Sequence, residues 1–488
     1  MRLQFQAAGQ ITAGRGLLQS CLEILQNDGP SRAPSTSRPC TSSVGLQPST
    51  HCNRIRIRSP MTRRQFLERA SLVVLSAASG CAPKRWPGGT TDRLFFTSSG
   101  KTCVIDARGR GFRELSVSAP AQVTWQPAGF LEDGRVLLLS MEARRDGPGR
   151  PFDEYYHQTP THIWAYDLDS QRLEELATRD RLAAFYAPQL VLQGGRILMQ
   201  VIRTRPGQTF NMRLDGSDAR EFTGPDEGLP YGHSLSPDGR RVAFHLASRE
   251  GYQIWTCDTQ GRDRLKVAAK PGHLYFGPGW SPDGRWLAFQ DCHAPGDPGH
   301  DWSDVCVCRP DGTGLRRLTE GQAMWFGATY GSASHRGGGS NVPAWTRDGR
   351  ILAPLRLPGS RVPWEYQSHR PDTDHFNRDF KPDQARGGTG IAEIDPKTGA
   401  TRFLTPPTEG VWDFRCSESP DGAQVAFCRA ETGGTPHLRI LDRRTGDSRK
   451  IHDGIGPGGL DHPRWLPREA RRAMHAPSPG GGSRHRAG

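Results

Sequence analysis

An all-β chain folded as a seven-bladed β-propeller of four-stranded antiparallel blades is the fold class this sequence predicts, and three observations carry the expectation. One pattern, an Asp-Gly turn set between apolar strands, recurs along most of the chain. A later strand of each repeat ends on an aspartate, and this happens seven times. The two ends of the patterned stretch each carry an incomplete repeat, and the incomplete pieces complement one another.

The pattern is clearest in Leu235-Ser-Pro-Asp-Gly-Arg-Arg-Val-Ala-Phe244 and Trp280-Ser-Pro-Asp-Gly-Arg-Trp-Leu-Ala-Phe289, whose turns stand 45 residues apart. Ala344 to Leu352, Glu418 to Phe427 and Phe130 to Leu137 repeat it, and Leu190 to Leu198 is a degenerate copy with Gly-Gly in the turn. These are hairpin chemistries: glycine supplies positive φ, aspartate bonds its own turn, and proline restricts the approach. The third strand of successive units ends at Asp106, Asp167, Asp215, Asp258, Asp311, Asp395 and Asp442, each before a polar turn. The first unit lacks an opening strand, since Arg93-Leu-Phe-Phe-Thr97 reads as a second strand. Asp461-His-Pro-Arg-Trp-Leu466 reads as an opening strand with no unit after it. Pairing the chain ends within one blade would close the ring and remove its free edges.

These units resemble the repeats of TolB-type propellers, a WD40-like (PD40) family marked by the Ser-Pro-Asp-Gly-Arg turn and the following Ala-Phe strand. The resemblance spans roughly residues 92 to 466. It implies the propeller fold and leaves function open, because the family includes binding scaffolds, polysaccharide lyases and the propeller halves of peptidases.

Net charge of +13 invites a nucleic-acid reading that its distribution removes. Residues 1 to 60 carry 7 basic against 2 acidic side chains, residues 61 to 90 carry 5 against 1, and residues 468 to 488 carry 5 against 1. The stretch from 91 to 467 holds 47 of each. The basic excess sits in low-complexity tails, so no nucleic-acid partner is expected.

Met61-Thr-Arg-Arg-Gln-Phe-Leu67 resembles a twin-arginine export signal. The apolar run from Ala70 to Ser79 is too short to span a bilayer, and Ala78-Ser-Gly-Cys81 looks like a lipobox in which Cys81 receives the lipid. Residues 1 to 60 are read as a disordered or untranslated upstream segment, 61 to 81 as the signal, 82 to 91 as a linker, 92 to 467 as the propeller and 468 to 488 as a disordered tail. The expected product is an exported monomer in the periplasm or facing the exterior, touching membrane only through a lipid anchor. Of eleven cysteines, seven lie in the body; Cys306 and Cys308, two apart in a strand, point to one face and are expected to pack as buried thiols.

Strand alternation puts the Asp-Gly turns and the turns after strand three on one face. The extra length, at Glu142 to His162, Asp291 to Asp301, Thr319 to Pro343 and Leu357 to Gly390, falls on the other. The joins before the innermost strands are rich in aromatic and imidazole groups, and Tyr231, His233, His273, Tyr275, Trp325 and Trp412 are expected at the channel mouth. Such rings stack on the CH face of a sugar while polar edges bond its hydroxyls. A second set, Asp291, His293, His300, Asp301, His335, Asp372, Asp374, His375 and Asp379, includes ligands suited to a divalent ion (manganese, calcium or zinc), of which Asp291, His293, His300, His335 and His375 are the candidates. Gly100-Lys101-Thr102 lacks the upstream glycine of a P-loop, and no GxSxG elbow is present. The sequence therefore points to a non-catalytic module that binds a cell-envelope glycan, an oligosaccharide or a protein. The alternative is a metal-dependent lyase similar to the oligogalacturonate lyases, with His233 and His273 as candidate bases.

Overall fold

Each Ser-Pro-Asp-Gly turn closes on itself. In the computed structural model the Ser236 hydroxyl donates to Asp238 Oδ1 at 2.6 Å and accepts the Arg241 amide at 2.9 Å. Ser281 repeats both bonds with Asp283 and Trp286, and Ser419 repeats them with Asp421 and Gln424. In the shorter turn at Thr346 the threonine does the same with Asp348 and Arg350. A glycine at positive φ follows each aspartate, from Gly239 to Gly422. The turns after strand three are equally self-contained: Asp106, Asp167, Asp215, Asp258, Asp311, Asp395 and Asp442 each accept a backbone amide two or three residues on. One edge of every unit is thus locally determined.

The structure describes residues 92–98, 101–115, 122–142, 161–168, 170–179, 190–201, 208–248, 251–293, 302–324, 341–361, 364–366, 378–380, 382–456 and 459–466. Cys81 and the rest of the export signal, the segment before it and the tail after Leu466 lie outside them. The described chain is nearly all β and forms four-stranded antiparallel sheets. Strands β1 (Arg93–Ser98), β2 (Lys101–Asp106) and β3 (Arg113–Leu115) make the first unit, and β4 (Gln122–Phe130), β5 (Val136–Glu142), β6 (Thr161–Tyr166) and β7 (Leu173–Arg179) the second. The third holds β8 (Leu190–Leu192), β9 (Arg196–Val201), β10 (Gln208–Arg213) and β11 (Arg220–Glu221), and the fourth β12 (Leu229–Leu235), β13 (Arg241–Ser248), β14 (Gly251–Asp258) and β15 (Leu265–Ala268). The fifth holds β16 (His273–Trp280), β17 (Leu287–His293), β18 (Ser303–Cys308) and β19 (Arg316–Arg317). In the sixth, β20 (Ala344–Trp345) and β21 (Ile351–Arg356) are separated from β24 (Thr389–Ile394) and β25 (Thr401–Phe403) by a small hairpin of β22 (Trp364–Tyr366) and β23 (Arg378–Phe380). The seventh holds β26 (Val411–Glu418), β27 (Gln424–Glu431), β28 (His437–Asp442) and β29 (Ser448–His452). The last strand, β30 (Asp461–Trp465), pairs antiparallel with β1, Leu94 opposite Trp465 and Phe95 opposite Arg464.

Core packing runs from unit to unit. Leu137, Ile163 and Ala165 of the second unit meet Ile197, Met199 and Phe210 of the third, and Leu198 and Phe222 of the third meet Val242 and Phe244 of the fourth. Ile254 packs on Phe289 and Cys306, Ala288 and Val305 on Ile351 and Ala392, and Leu352 and Ile391 on Val425 and Phe427. Leu94, Phe96 and Trp465 then meet Trp412, Phe414 and Cys428 of the seventh unit, while Phe95 packs edge-on against Phe130 of the second at 5.4 Å. Neighbour contacts therefore lead back to the first unit. The described cysteines are all free thiols, and Cys306 and Cys308 share one packed face between sheets.

Two devices recur at the inner edge. The Trp280 indole donates to Ser234 O of the unit before it at 3.1 Å, Trp345 to Gly279 O at 3.0 Å, and Trp465 to Ser417 O at 2.9 Å. The innermost strands also break register once, between Tyr231 and Ser234, Phe276 and Gly279, and Phe414 and Ser417, and β30 does so opposite Phe95 to Thr97. The first bulged residue has positive φ in each case: Gly232 and Gly277, but Arg415 (55°) and His462 (54°) at the other two. A side chain there costs about 1–2 kcal/mol of backbone strain.

Trp465→Phe keeps the ring of the side chain and removes its donor, leaving a Ser417 carbonyl at the inner edge without that bond. The expected loss is about 1–3 kcal/mol, read as a lower urea midpoint at unchanged m-value; an unchanged midpoint would show that the indole bond contributes nothing to stability.

Candidate functional site

The side of each unit away from the Asp-Gly turns carries the long connections, leaving after Glu142, His293, Met324 and Arg361. At that side of the fourth and fifth units the starts of β12, β14 and β16 lie beside the ends of β13 and β17, because antiparallel pairing puts Tyr231 opposite His245 and Tyr275 opposite Asp291. Two side-chain clusters result.

In the fifth unit His273 Nδ1 lies 2.7 Å from Asp291 Oδ2, with the carboxylate buried and the imidazole half-buried. The imidazole stacks on Tyr275, 5.4 Å between centroids and 17° between planes. His273 and Tyr275 are two residues apart on one strand and so share a face. Burial, and behind it the Asp291 charge, raises the Tyr275 phenol above its ordinary value and keeps it a neutral hydrogen-bonding group. In the fourth unit His245 stacks against Tyr231 on one side (5.4 Å) and Tyr252 on the other (6.0 Å), with Phe276 edge-on at 6.2 Å. Its Nδ1 accepts the Gly277 amide at 3.3 Å. Together these form a partly buried platform of two imidazoles, four aromatic rings and one carboxylate.

The other candidates are placed differently. His233, expected at the channel mouth, is buried between the third and fourth units. It stacks on Phe244 at 5.6 Å, touches Phe222 edge-on and lies 3.3 Å from Thr209 Oγ1. Trp412 is fully buried and donates to Thr432 Oγ1, and Tyr275 keeps 3% of its surface. Tyr231, His233, His273, Tyr275 and Trp412 belong to innermost strands and not to the joins before them. The strands begin earlier than the pattern suggests, which makes Trp412 a packed residue of β26, and the β12 bulge turns His233 into a packed face. Similarly, β17 runs through His293, so Asp291 belongs to a strand and not to the loop after it. The side chain of His293 and the residues Trp325, His300, Asp301, His335, Asp372, Asp374 and His375 lie outside the described residues, as does the side chain of Asp379. Of the metal candidates, Asp291 alone is described in full, and its Oδ2 is held by His273. Among the described residues no group of three His, Cys, Asp or Glu side chains could hold a metal ion. His245 and Tyr252 sit in mid-pattern, where the repeat gives no cue to a site; the imidazole directly after Ala243-Phe244 is the one signal the sequence offers.

Desolvation lowers the His233 pKa from 6.5 to about 4. The native imidazole stays neutral where the unfolded one takes a proton, so stability is complete above pH 6.5 and falls as pH drops toward 4, by about 3 kcal/mol at most. His233→Phe is expected to flatten part of that fall in urea titrations taken from pH 7 to pH 4. The profile of the variant matching that of the parent would refute the assignment.

No family model and no curated protein sequence matches the chain. Among solved structures it is similar to TolB from Acinetobacter baumannii, at 13% identity over 64% of this chain and 80% of that one with a TM-score of 0.36. It is also similar to an oligogalacturonate lyase in complex with manganese, at 15% identity over 77% and 90% with a TM-score of 0.45. A putative 6-phosphogluconolactonase from Bacteroides uniformis shares 15% identity over 78% and 100%, with a TM-score of 0.46.

Proposed function

We propose that this chain is an exported, TolB-like propeller of seven blades, closed by β30 beside β1, that acts as a non-catalytic binding module for a cell-envelope glycan, an oligosaccharide or a protein partner. The observation that carries the reading is the asymmetry of the two sides. Every described Asp-Gly turn is short and bonded to itself, whereas the long connections leave from the opposite side, the one after His293 two residues beyond Asp291 in the platform of Tyr231, His245, Tyr252, His273 and Asp291. Flat rings beside hydrogen-bonding edges suit a saccharide, whose CH faces are apolar and whose rim is polar. Trp325, beyond the described residues, is proposed to complete that surface. The twin-arginine-like segment and Cys81 support export and anchoring, with the protein a monomer on the membrane surface.

A second reading rests on the His273–Asp291 pair. A carboxylate bonded to Nδ1 fixes tautomer and orientation, which is how a general base is held. In the lyase reading His273 would remove the proton α to a uronate carboxylate and Asp291 would position it. His233 does not suit that role, because burial makes it a weak base and packs it between sheets away from a substrate. Metal-dependent chemistry would draw its ligands from Asp291, His293, His300, His335 and His375.

A glycan array probed with the protein, with metal content measured on the same sample, distinguishes the two. A binding module retains a glycan or envelope protein without converting it; Tyr231→Ala weakens retention roughly 10- to 100-fold at nearly unchanged Tm, and His273→Ala weakens it by as much while also lowering Tm, since Asp291 loses its partner. Release of unsaturated, ultraviolet-absorbing uronides that chelator abolishes would replace the first reading with the second. Retention of nothing by the parent protein would end the binding-module reading.

A further inference from the structure

The bulge at the inner edge recurs in several units, and at the seam between β26 and β30 it carries charge. Where β12 and β16 place Gly232 and Gly277 at positive φ, the seam places Arg415 and His462, two side chains held in a conformation that glycine adopts freely. Two positions further along, the other innermost strands carry small residues: Ser234, Gly279 and Ser417. That position points at the next unit, for the Ser234 hydroxyl donates to Pro278 O. β30 puts Arg464 there, on the same face as Phe95 opposite it.

Among the described residues the charges at this seam do not balance. Arg415 is bound to Asp461, Nε to Oδ1 at 2.9 Å and Nη2 to Oδ2 at 3.5 Å, and against the cost of burial that guanidinium holds the Asp461 carboxyl below its usual range. His462 shares the same carboxylate at 3.5 Å. Arg464 has no hydrogen bond or ion pair to any described residue, and its neighbouring charge is Arg415. Burial brings Arg464 down to about 10, which leaves it protonated at neutral pH. His462 keeps 38% of its side-chain surface accessible while burial lowers its pKa to about 4. Among the described residues, one carboxylate thus sits among two guanidiniums and an imidazole at this seam.

We propose that the seam between β26 and β30 is a binding site for a small oxyanion, a carboxylate or a phosphate, received in the fork of Arg464 beside His462 and the Arg415–Asp461 pair. A guanidinium presents parallel N–H groups to two oxygens of either anion, and the missing negative charge is what such a ligand supplies. The ligand would touch the strand that joins the chain ends, so its binding would tighten that junction. The site is separate from the platform on the fourth and fifth units and stands or falls independently of it.

The test is thermal unfolding of the full chain in rising concentrations of inorganic phosphate or of acetate, at constant ionic strength held with chloride. One of the two anions is expected to raise Tm by several degrees with saturation. Phosphate alone acting indicates a tetrahedral anion, and acetate alone a planar one; both support the site. Arg464→Ser installs the residue that β12 and β26 carry at this position, so it is expected to fold and to lose the saturable rise. Arg464→Gln, of similar length without charge, gives the same readout should the serine variant fail to fold. A Tm rise of equal size in these variants, or no saturable rise in the parent protein, overturns the proposal.

Discussion

The innermost strand of each unit is paired along one edge only, apart from single parallel bridges of β16 to β14 and β26 to β24, and its remaining carbonyls must find a donor elsewhere. A tryptophan from the following unit meets that need at Ser234, Gly279 and Ser417. The bond does more than satisfy an acceptor. It sets each unit against its predecessor at one height, and it requires a small residue beneath the indole, which Ser234, Gly279 and Ser417 provide. The same geometry at Trp465 means that the last strand is docked as the inner strand of an ordinary unit, in the register the others use, and not laid against the first sheet as a tail.

Much of this architecture is legible in the residues. The aspartates closing both kinds of turn are visible because an Asx turn needs its carboxylate at a fixed offset, and the complement of Arg93–Thr97 by Asp461–Leu466 follows from counting strands. Other features are hidden for physical reasons. A bulge of one residue flips every later side chain to the opposite face, so strict alternation misplaces His233. A threonine after the fourth strand, at Thr223, Thr319 and Thr405, accepts the amides of Thr209, Val305 and Ile391. It recurs in the sequence, yet a hydroxyl beside a leucine reads as solvent-facing until the acceptor is seen. The His273–Asp291 pair joins strand neighbours whose proximity depends on register, which composition does not reveal.

The two sides of the molecule divide their tasks. On the Asp-Gly side arginines tie neighbouring units together: Arg443 binds Glu393, Glu418 and Asp348 across the sixth and seventh units, and Arg264 reaches Glu227 and Phe222 O across the third and fourth. Several partners share each guanidinium, and the half-buried Arg443 network stiffens that side where isolated surface pairs would contribute little. The opposite side spends its polar groups on imidazoles and carboxylates next to long connections, an arrangement suited to ligand recognition on a rigid base.

The pairing of β1 with β30 also bears on assembly. Thr97 Oγ1 donates to the Asp461 carbonyl across 364 positions of chain, while nearly every other strand pair is a local hairpin. Hairpins form as soon as their own residues are available, and closure of so long a loop costs entropy that rises only slowly with length. During synthesis β1 therefore waits, its edge unpaired and the Leu94 and Phe96 cluster half covered, until nearly the whole chain has emerged. The nascent protein is vulnerable to edge-to-edge pairing through most of its translation, and six residues made near the end determine when that exposure stops.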